Sequence, residues 1–430
     1  MPLLRITNFG PIQYFDFYLK KFNILIGKQA SGKSTTAKLL FFFKMIPLWL
    51  ATFNPKDKKG NLFELFQKDL RKKFLDLFGP VYHQNDLELV YFFNDQKKGL
   101  YIQIIQDRKY KNNYISIRYD TETRIRIEEL LESLRDVSYN TQKKDGKISE
   151  KIIGQVIENN FYQSMLESSK QIFNQNQTPL FIPAGRTQLT LFSGQLVHFN
   201  ESDFLTNNFL RTIQNIRDQV GIGLEETETL ARKTWAYQPD PIRAKLARTL
   251  ITKILRGSYR VEHGEERIYH NQYAHTKLSV ASSGQQESLW ILLTTYMLIL
   301  ERENISITFE EPEAHLYPEA QDAIMHLLAL LLGSASDNQI IITTHSPYIL
   351  TSINNLLAAH HFGKQKPDEV SRIIDRLLWI PSESLSVYQL DRQGEDIFDK
   401  ELNMIRAEKI DSASQIMNDE YEQLISIVEV

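Results

Sequence analysis

The segment Gly27-Lys28-Gln29-Ala30-Ser31-Gly32-Lys33-Ser34 constrains this chain more than any other stretch. It follows the short apolar run Asn23–Ile26 and precedes residues that read as a helix, Lys33 to Met45. A glycine-rich turn between a strand and a helix lets the backbone wrap closely. Its N–H groups then point at an anion held at the helix N-terminus. In that setting Lys33 neutralises phosphate charge and the Ser34 hydroxyl ligates Mg²⁺. The pattern predicts a nucleoside-triphosphate cradle running from Gly27 to Thr35, with Mg²⁺ beside it.

The rest of the chain must supply a sheet for that cradle. Leu3–Thr7 and Tyr14–Leu19 read as strands around the Gly10-Pro11 break. Pro47 is expected to end the first helix. The apolar run Leu39–Phe53 is too short to span a bilayer and is interrupted by Lys44 and Pro47, so it reads as a buried helix end and the loop after it. Leu87–Phe93, Leu100–Ile105 and Tyr114–Arg118 look like strands within a stretch carrying basic runs at 56–59, 71–73 and 107–111. Leu180–Pro183 reads as a strand returning to the main sheet. Helices are expected over Asp203–Val220, Glu225–Trp235 and Pro241–Leu255, then a hairpin around His263-Gly264-Glu265. Beyond Val280 helices and strands alternate: Gln285–Leu300, Ile305–Phe309, Pro318–Leu332, Gln339–Thr343, and a helix after Pro347. That alternation argues for a parallel sheet covered by helices. Ser386–Leu390 is expected as one more strand, and Leu402–Ile427 as a helical tail.

The 430 residues carry a formal net charge of −3, so bulk attraction to DNA or an acidic membrane is not indicated. No cysteine is present, which excludes disulfides and thiolate metal sites and suits a reducing, cytoplasmic setting. The start, Met-Pro-Leu-Leu-Arg-Ile, lacks the features of a secretory signal.

Three further segments carry chemistry. Ile305–Phe309 runs straight into Glu310-Glu311, and the carboxyl ends of buried parallel strands are where ligands bind in open α/β sheets. Glu310 is expected to hold the metal and Glu311 to accept a proton from attacking water. Acidic residues also suit a helix N-terminus, but the phosphate cradle favours the first reading. Ile340–Thr343 ends in Thr344-His345-Ser346, placing His345 at the same edge as a hydrogen-bond donor toward a γ-phosphate. Ser282, Ser283, Gly284 and Gln285 open a helix. Locally they read as an ordinary cap. Their order among the other three segments favours a second anion-facing role.

Together these four segments resemble the ABC-type ATPase superfamily: Gly27–Ser34 its Walker A, Ser282–Gln286 its signature, Phe309–Pro312 its Walker B with catalytic glutamate, and His345 its switch histidine. EEPEAHLYP, TTHSPYIL and LFIPAGR resemble the soluble, non-transporter branch, which includes overcoming-lysogenization-defect proteins, RecF- and Rad50-like ATPases, and standalone bacterial ATPases linked to phage defence. The resemblance implies an α/β ABC-type P-loop head, mainly a parallel sheet flanked by helices with an antiparallel lobe. The expected division is a head at 1–55 and 176–400 (with a helical segment, 201–257), an inserted α+β lobe at 56–175, and a helical tail at 401–430. It implies a homodimer sandwiching two ATP, each between one subunit's Walker motifs and the other's Ser283 and Gly284.

Departures accompany the likeness. Glu310 stands where Asp is usual, Ser282 where transporters often have Leu, and Tyr317 where the D-loop often has Asp. The Q-loop glutamine is either Gln188 or Gln195, and Arg5 and Phe9 are candidates beside the adenine. The 85 residues after His345 contain no Asp-x-Asp nuclease strand, so an effector nuclease or toxin is expected on another chain. DNA or RNA remains an open partner, as for a RecF- or Rad50-like repair ATPase that clamps DNA; no membrane partner is expected.

Overall fold

The computed structural model describes residues 2–55, 60–81, 86–93, 101–107, 114–141, 161–187, 204–235 and 238–406. Gln188, Gln195, the basic runs at 56–59 and 108–111, and 407–430 of the expected tail lie outside them.

The chain opens with β1 (Leu3–Phe9), β2 (Ile12–Tyr18) and β3 (Phe22–Ile26), then α1 (Lys33–Ala51). There follow α2 (Leu62–Phe78), β4 (Glu88–Phe92), β5 (Tyr101–Asp107), β6 (Tyr114–Tyr119), α3 (Thr121–Thr141) and α4 (161–172). Next come β7 (Thr178–Ile182), α5 (Phe204–Val220), α6 (Leu224–Thr234), α7 (Pro241–Leu255), and the small sheet β8 (Ser258–Glu262), β9 (Glu265–Tyr269) and β10 (His275–Lys277). The last part holds α8 (Ser283–Glu301), β11 (Ile305–Glu310), α9 (Pro318–Leu332), β12 (Gln339–Thr344), α10 (Pro347–Gly363), β13 (Leu385–Asp391), β14 (Gln393–Asp396), β15 (Phe398–Asp399) and β16 (Met404–Ile405).

One 11-stranded sheet organises the molecule, in the order β6-β5-β4-β1-β2-β14-β13-β3-β12-β11-β7. From β13 to β7 every neighbouring pair is parallel. From β6 to β2 every pair is antiparallel. The hairpin β13–β14 joins the halves, with Gln393 opposite Tyr14. The expected α/β architecture is therefore present, and β4–β6 extend the same sheet outward from β1.

Each face of the sheet has its own core, and β3 shows why. Phe22, Ile24 and Ile26 point into one core with residues of α8, α9 and α10, while Leu25 points into the other with α1 and α2. Parallel strands covered on both faces read as continuous apolar runs, as Ile305–Phe309 and Gln339–Thr343 nearly do.

Two expectations fail. Pro47 does not stop α1, which runs on to Ala51. An interior proline costs about 3 kcal/mol. Burial of Trp49 and Leu50 beyond it, each side chain contributing about 1.5–3 kcal/mol, offsets that. The Pro47 carbonyl is also taken up by the Ser169 hydroxyl at 2.7 Å. The tail does not begin as a helix: Met404–Ile405 pairs antiparallel with Phe398–Asp399.

Candidate functional site

The site is built at the carboxyl ends of β3, β12 and β11, three adjacent strands. The turn Gly27–Gly32 leaves β3 and enters α1 with Gly32 at the cap in a left-handed conformation, φ 103°. Two glycines are sterically required. A Cβ on Gly27 would lie 2.3 Å from the Leu390 carbonyl oxygen, and one on Gly32 would lie 2.6 Å from Ile12. The turn is thus pressed between the ends of β13 and β2. Lys28, Gln29, Ala30 and Ser34 are exposed, Thr35 is half-buried, and Ser31 is buried with its hydroxyl unpartnered.

Lys33 curls back over the loop, its ammonium donating to the carbonyls of Gly27 (2.9 Å) and Lys28 (2.8 Å). It also reaches His345 Nδ1 at 3.5 Å. Burial lowers the Lys33 pKa, opposed by the charges of Glu311 and Glu313. On its far side His345 Nε2 lies 3.1 Å from Glu311 Oε1. An ammonium only donates and a carboxylate only accepts. His345 therefore carries its proton on Nε2 and presents Nδ1 to Lys33. Lys33, His345 and Glu311 form one continuous line of contacts beside the loop.

Glu311 has a left-handed backbone, φ 44°, which costs a non-glycine residue of order 1 kcal/mol. Its N–H donates to the Thr343 carbonyl (3.0 Å) and hydroxyl (3.3 Å), and its carbonyl accepts from Arg186 (2.9 Å) and from the Ala314 N–H (3.0 Å). Glu310 is the last residue of β11 and is buried. One carboxylate oxygen accepts from the Ala184 N–H at 3.3 Å; the other, Oε1, has no partner. An orphaned, buried carboxylate oxygen at this edge suits a cation. Mg²⁺ in phosphate sites takes one or two side-chain ligands plus the substrate's oxygens. The Glu310 carboxylate and Ser34 hydroxyl therefore fit it, and among the described residues no cluster of three or more His, Cys, Asp or Glu offers a competing metal site.

Sequence reasoning missed three buried residues here. Glu313 accepts from the Thr344 hydroxyl and from the His345 N–H (3.2 Å), so it fixes the backbone that carries the histidine. Burial raises its pKa. Arg186 and Glu287 form a buried ion pair at 3.2 Å behind the acidic pair. The desolvation of Glu287 is outweighed by Arg186 and the hydrogen bonds from Thr187, leaving its pKa below the usual carboxylate range. None of the three has a local spacing signal, although the LFIPAGR and EEPEAH segments contain Arg186 and Glu313.

The turn Ser282–Gln285 lies elsewhere. Ser282 caps α8, and Gln285 completes a capping box. Ser282 and Ser283 are exposed. Ser282, Gly284 and Gln285 line a 650 Å³ cleft with Arg256, His315 and Tyr317; none of Gly27–Thr35, Glu311 or His345 borders it. A Cβ on Gly284 would lie 2.8 Å from the His315 carbonyl oxygen, so this turn packs tightly on the loop before α9. The two adenine candidates differ in exposure, Arg5 being part-exposed. Phe9 is buried against Phe74 and Phe78, and Arg5 is clamped by Asp16 at 2.7 and 2.8 Å.

A parallel half-sheet whose strand ends carry a glycine-rich phosphate loop, an acidic pair and a histidine defines a P-loop nucleotide-binding ATPase domain. The sequence agrees: the chain belongs to the AAA_15 family of AAA ATPase domains, which matches residues 2–350. No curated protein matches it. Similar solved structures are SMC heads. An SmcHead bound to the C-winged helix domain of ScpA is 12% identical with a TM-score of 0.43, covering 94% of this chain and 99% of that one. The SMC head domain from Thermotoga maritima is 11% identical with a TM-score of 0.36, covering 82% and 92%. The Pyrococcus furiosus Smc head with an extended coiled coil, bound to the C-terminal domain of ScpA, is 12% identical with a TM-score of 0.36, covering 98% and 100%. No helix among the described residues is long and apolar enough to cross a membrane.

Proposed function

We propose that this chain is an ABC-type ATPase subunit that closes as a homodimer around two ATP and hydrolyses them. The observation that carries this is a division within one chain. The Lys33–His345–Glu311 line sits at the phosphate loop, while Ser282, Gly284 and Gln285 line a different cleft and Ser283 between them is exposed. A turn that faces outward, away from its own cradle, is suited to complete a twin's site.

In this reading the backbone of Gly27–Ser34, with Lys28, Gln29, Ala30, Ser31 and Thr35, wraps the phosphates, and Lys33 exchanges the Gly27 and Lys28 carbonyls for phosphate oxygens. Mg²⁺, when bound, supplies charge neutralisation on those oxygens, and Ser34 and Glu310 are the groups that would hold it. Glu311 takes a proton from water at its carboxylate. His345 orients that carboxylate through Nε2–H, and Glu313 keeps the histidine in place.

We further propose that the chain acts as the sensor or regulator of a bacterial anti-phage or toxin-like system, with the effector on another chain. That role rests on the resemblance of EEPEAHLYP, TTHSPYIL and LFIPAGR to standalone ATPases of this kind. A RecF- or Rad50-like clamp would use the same head chemistry on DNA. Steep salt dependence of DNA binding distinguishes the two, since each neutralised phosphate releases counterions. The dimer is tested by measuring the mass of Glu311→Gln protein with ATP and Mg²⁺: a stable dimer is expected, and a monomer overturns the reading.

A further inference from the structure

Arg186 follows β7 and its side chain is wholly buried. Its guanidinium joins two parts of the molecule. On one side Nε donates to the Glu287 carbonyl at 3.0 Å, and a terminal nitrogen faces the Glu287 carboxylate at 3.2 Å. On the other side it donates to the carbonyls of Glu310 (2.7 Å) and Glu311 (2.9 Å), and to that of Pro183 (2.6 Å). The Glu287 carboxylate is gripped in turn by the N–H of Arg186 (3.0 Å) and by the N–H and hydroxyl of Thr187 (both 2.7 Å). Glu287 lies one helical turn beyond the exposed Ser283 on α8, and Ser288 ties that turn together by donating to the Gly284 carbonyl at 2.7 Å.

A buried fork engaged on both sides has little freedom. If the start of α8 moves, either an interior hydrogen bond breaks, leaving a charged group unsatisfied, or the acidic pair moves too. The backbone at stake is that of Glu311, which is left-handed and whose carbonyl accepts from Arg186 as well as from the Ala314 N–H.

We infer that Arg186 is a positioning residue that transmits occupancy of the Ser282–Gln285 turn to Glu310 and Glu311 of the same chain, so that the two composite sites of the dimer fire cooperatively. This rests on the dimer reading above. The partner's nucleotide, engaged by one chain's turn, sets the base in that chain's own site through Glu287 and Arg186. A merely stabilising ion pair would hold the fold without linking the two sites.

The test is ATP turnover against ATP concentration in full-length protein, wild type beside Glu287→Gln and Arg186→Lys, with nucleotide affinity and dimer mass measured on the same samples. Wild type should give a Hill coefficient near 2, the ceiling for two sites. The variants should fall toward 1, with kcat lower by about tenfold, while still binding ATP and still dimerising. A Hill coefficient unchanged in folded Glu287→Gln protein overturns the inference. So does a wild-type dimer with a Hill coefficient of 1, which leaves the dimer reading standing; absence of any ATP-dependent dimer removes both. Should the buried variants not fold, mixed dimers of wild type with Ser283→Arg decide it. Their one intact composite site uses Glu311 of the altered subunit. Coupling predicts below about a tenth of wild-type turnover, and independent sites predict half.

Discussion

The two halves of the sheet are built from the same kinds of residue and have different tasks. In the parallel half, β3, β12 and β11 all point their carboxyl ends one way, so three loops converge on one edge. In the antiparallel half, β1, β2, β4, β5 and β6 alternate direction, and no edge collects successive strand ends. That half instead collects rings: Phe74 meets Phe9, Phe42 and Phe78 under the sheet. Direction of the chain, more than composition, decides where polar loops gather. The lesson is that damage to the two halves should separate cleanly into lost turnover and lost stability.

The largest effect that would test this separation is at the base. Glu311→Gln should lower kcat by about 10²–10⁴-fold, the range for a positioned proton acceptor, with melting temperature nearly unchanged. Steady-state phosphate release and calorimetry check it together. Phe74→Ala should do the reverse. Removing a fully buried phenylalanine costs about 3–5 kcal/mol, read as a denaturation midpoint, while kcat of the folded fraction holds. A large fall in kcat there would erase the proposed division.

A finer prediction concerns Lys44, buried on α1 with the Gln177 side-chain oxygen 3.3 Å from its ammonium. Burial pushes its pKa down from 10.5 to about 8. Below pH 8 both folded and unfolded chains hold the proton, and the folded state carries the full desolvation cost. Between about 8 and 10.5 only the unfolded chain keeps it, so stability from this group rises with pH. The difference, 10.5 against about 8 at 1.36 kcal/mol per pH unit, is about 3 kcal/mol. Lys44→Met should therefore raise stability at pH 7 and flatten the rise above pH 8 in denaturation curves. The smallest effect is expected at Lys73, part-exposed and paired with Asp69 at 3.2 Å within α2. Lys73→Ala should cost no more than about 0.5 kcal/mol, and a cost of several would mark α2 as more than a solvated face.

Much of the parallel half was legible in the sequence. Its strands end in residues that announce themselves: glycines and a lysine after Ile26, two glutamates after Phe309, a histidine after Thr344. Apolar runs of strand length and caps such as Ser282 and Ser346 carry local signals. What was not legible depends on neighbours distant in the chain. Arg186 gains its role from carbonyls about a hundred residues on, at Glu287, Glu310 and Glu311. Glu313 carries no pattern of its own within EEPEAH, and only the fold places it against Thr344 and His345. Pro47 carries a strong local stop signal, overridden because the residues beyond it have a core to enter. Strand order was equally hidden: β12 lies between β3 and β11, although it follows both.

The contact of Gly27 with the Leu390 carbonyl has a consequence for how the molecule is made. Both flanking partners of β3, at 339–344 and 385–391, emerge from the ribosome more than three hundred residues after it. The nascent chain therefore holds its most recognisable stretch without its β13 wall until Leu390 has been made. Pairings of such long sequence separation form slowly, so a fragment halted before Leu385 should be unable to seat a nucleotide, however well its first domain-length of chain has collapsed.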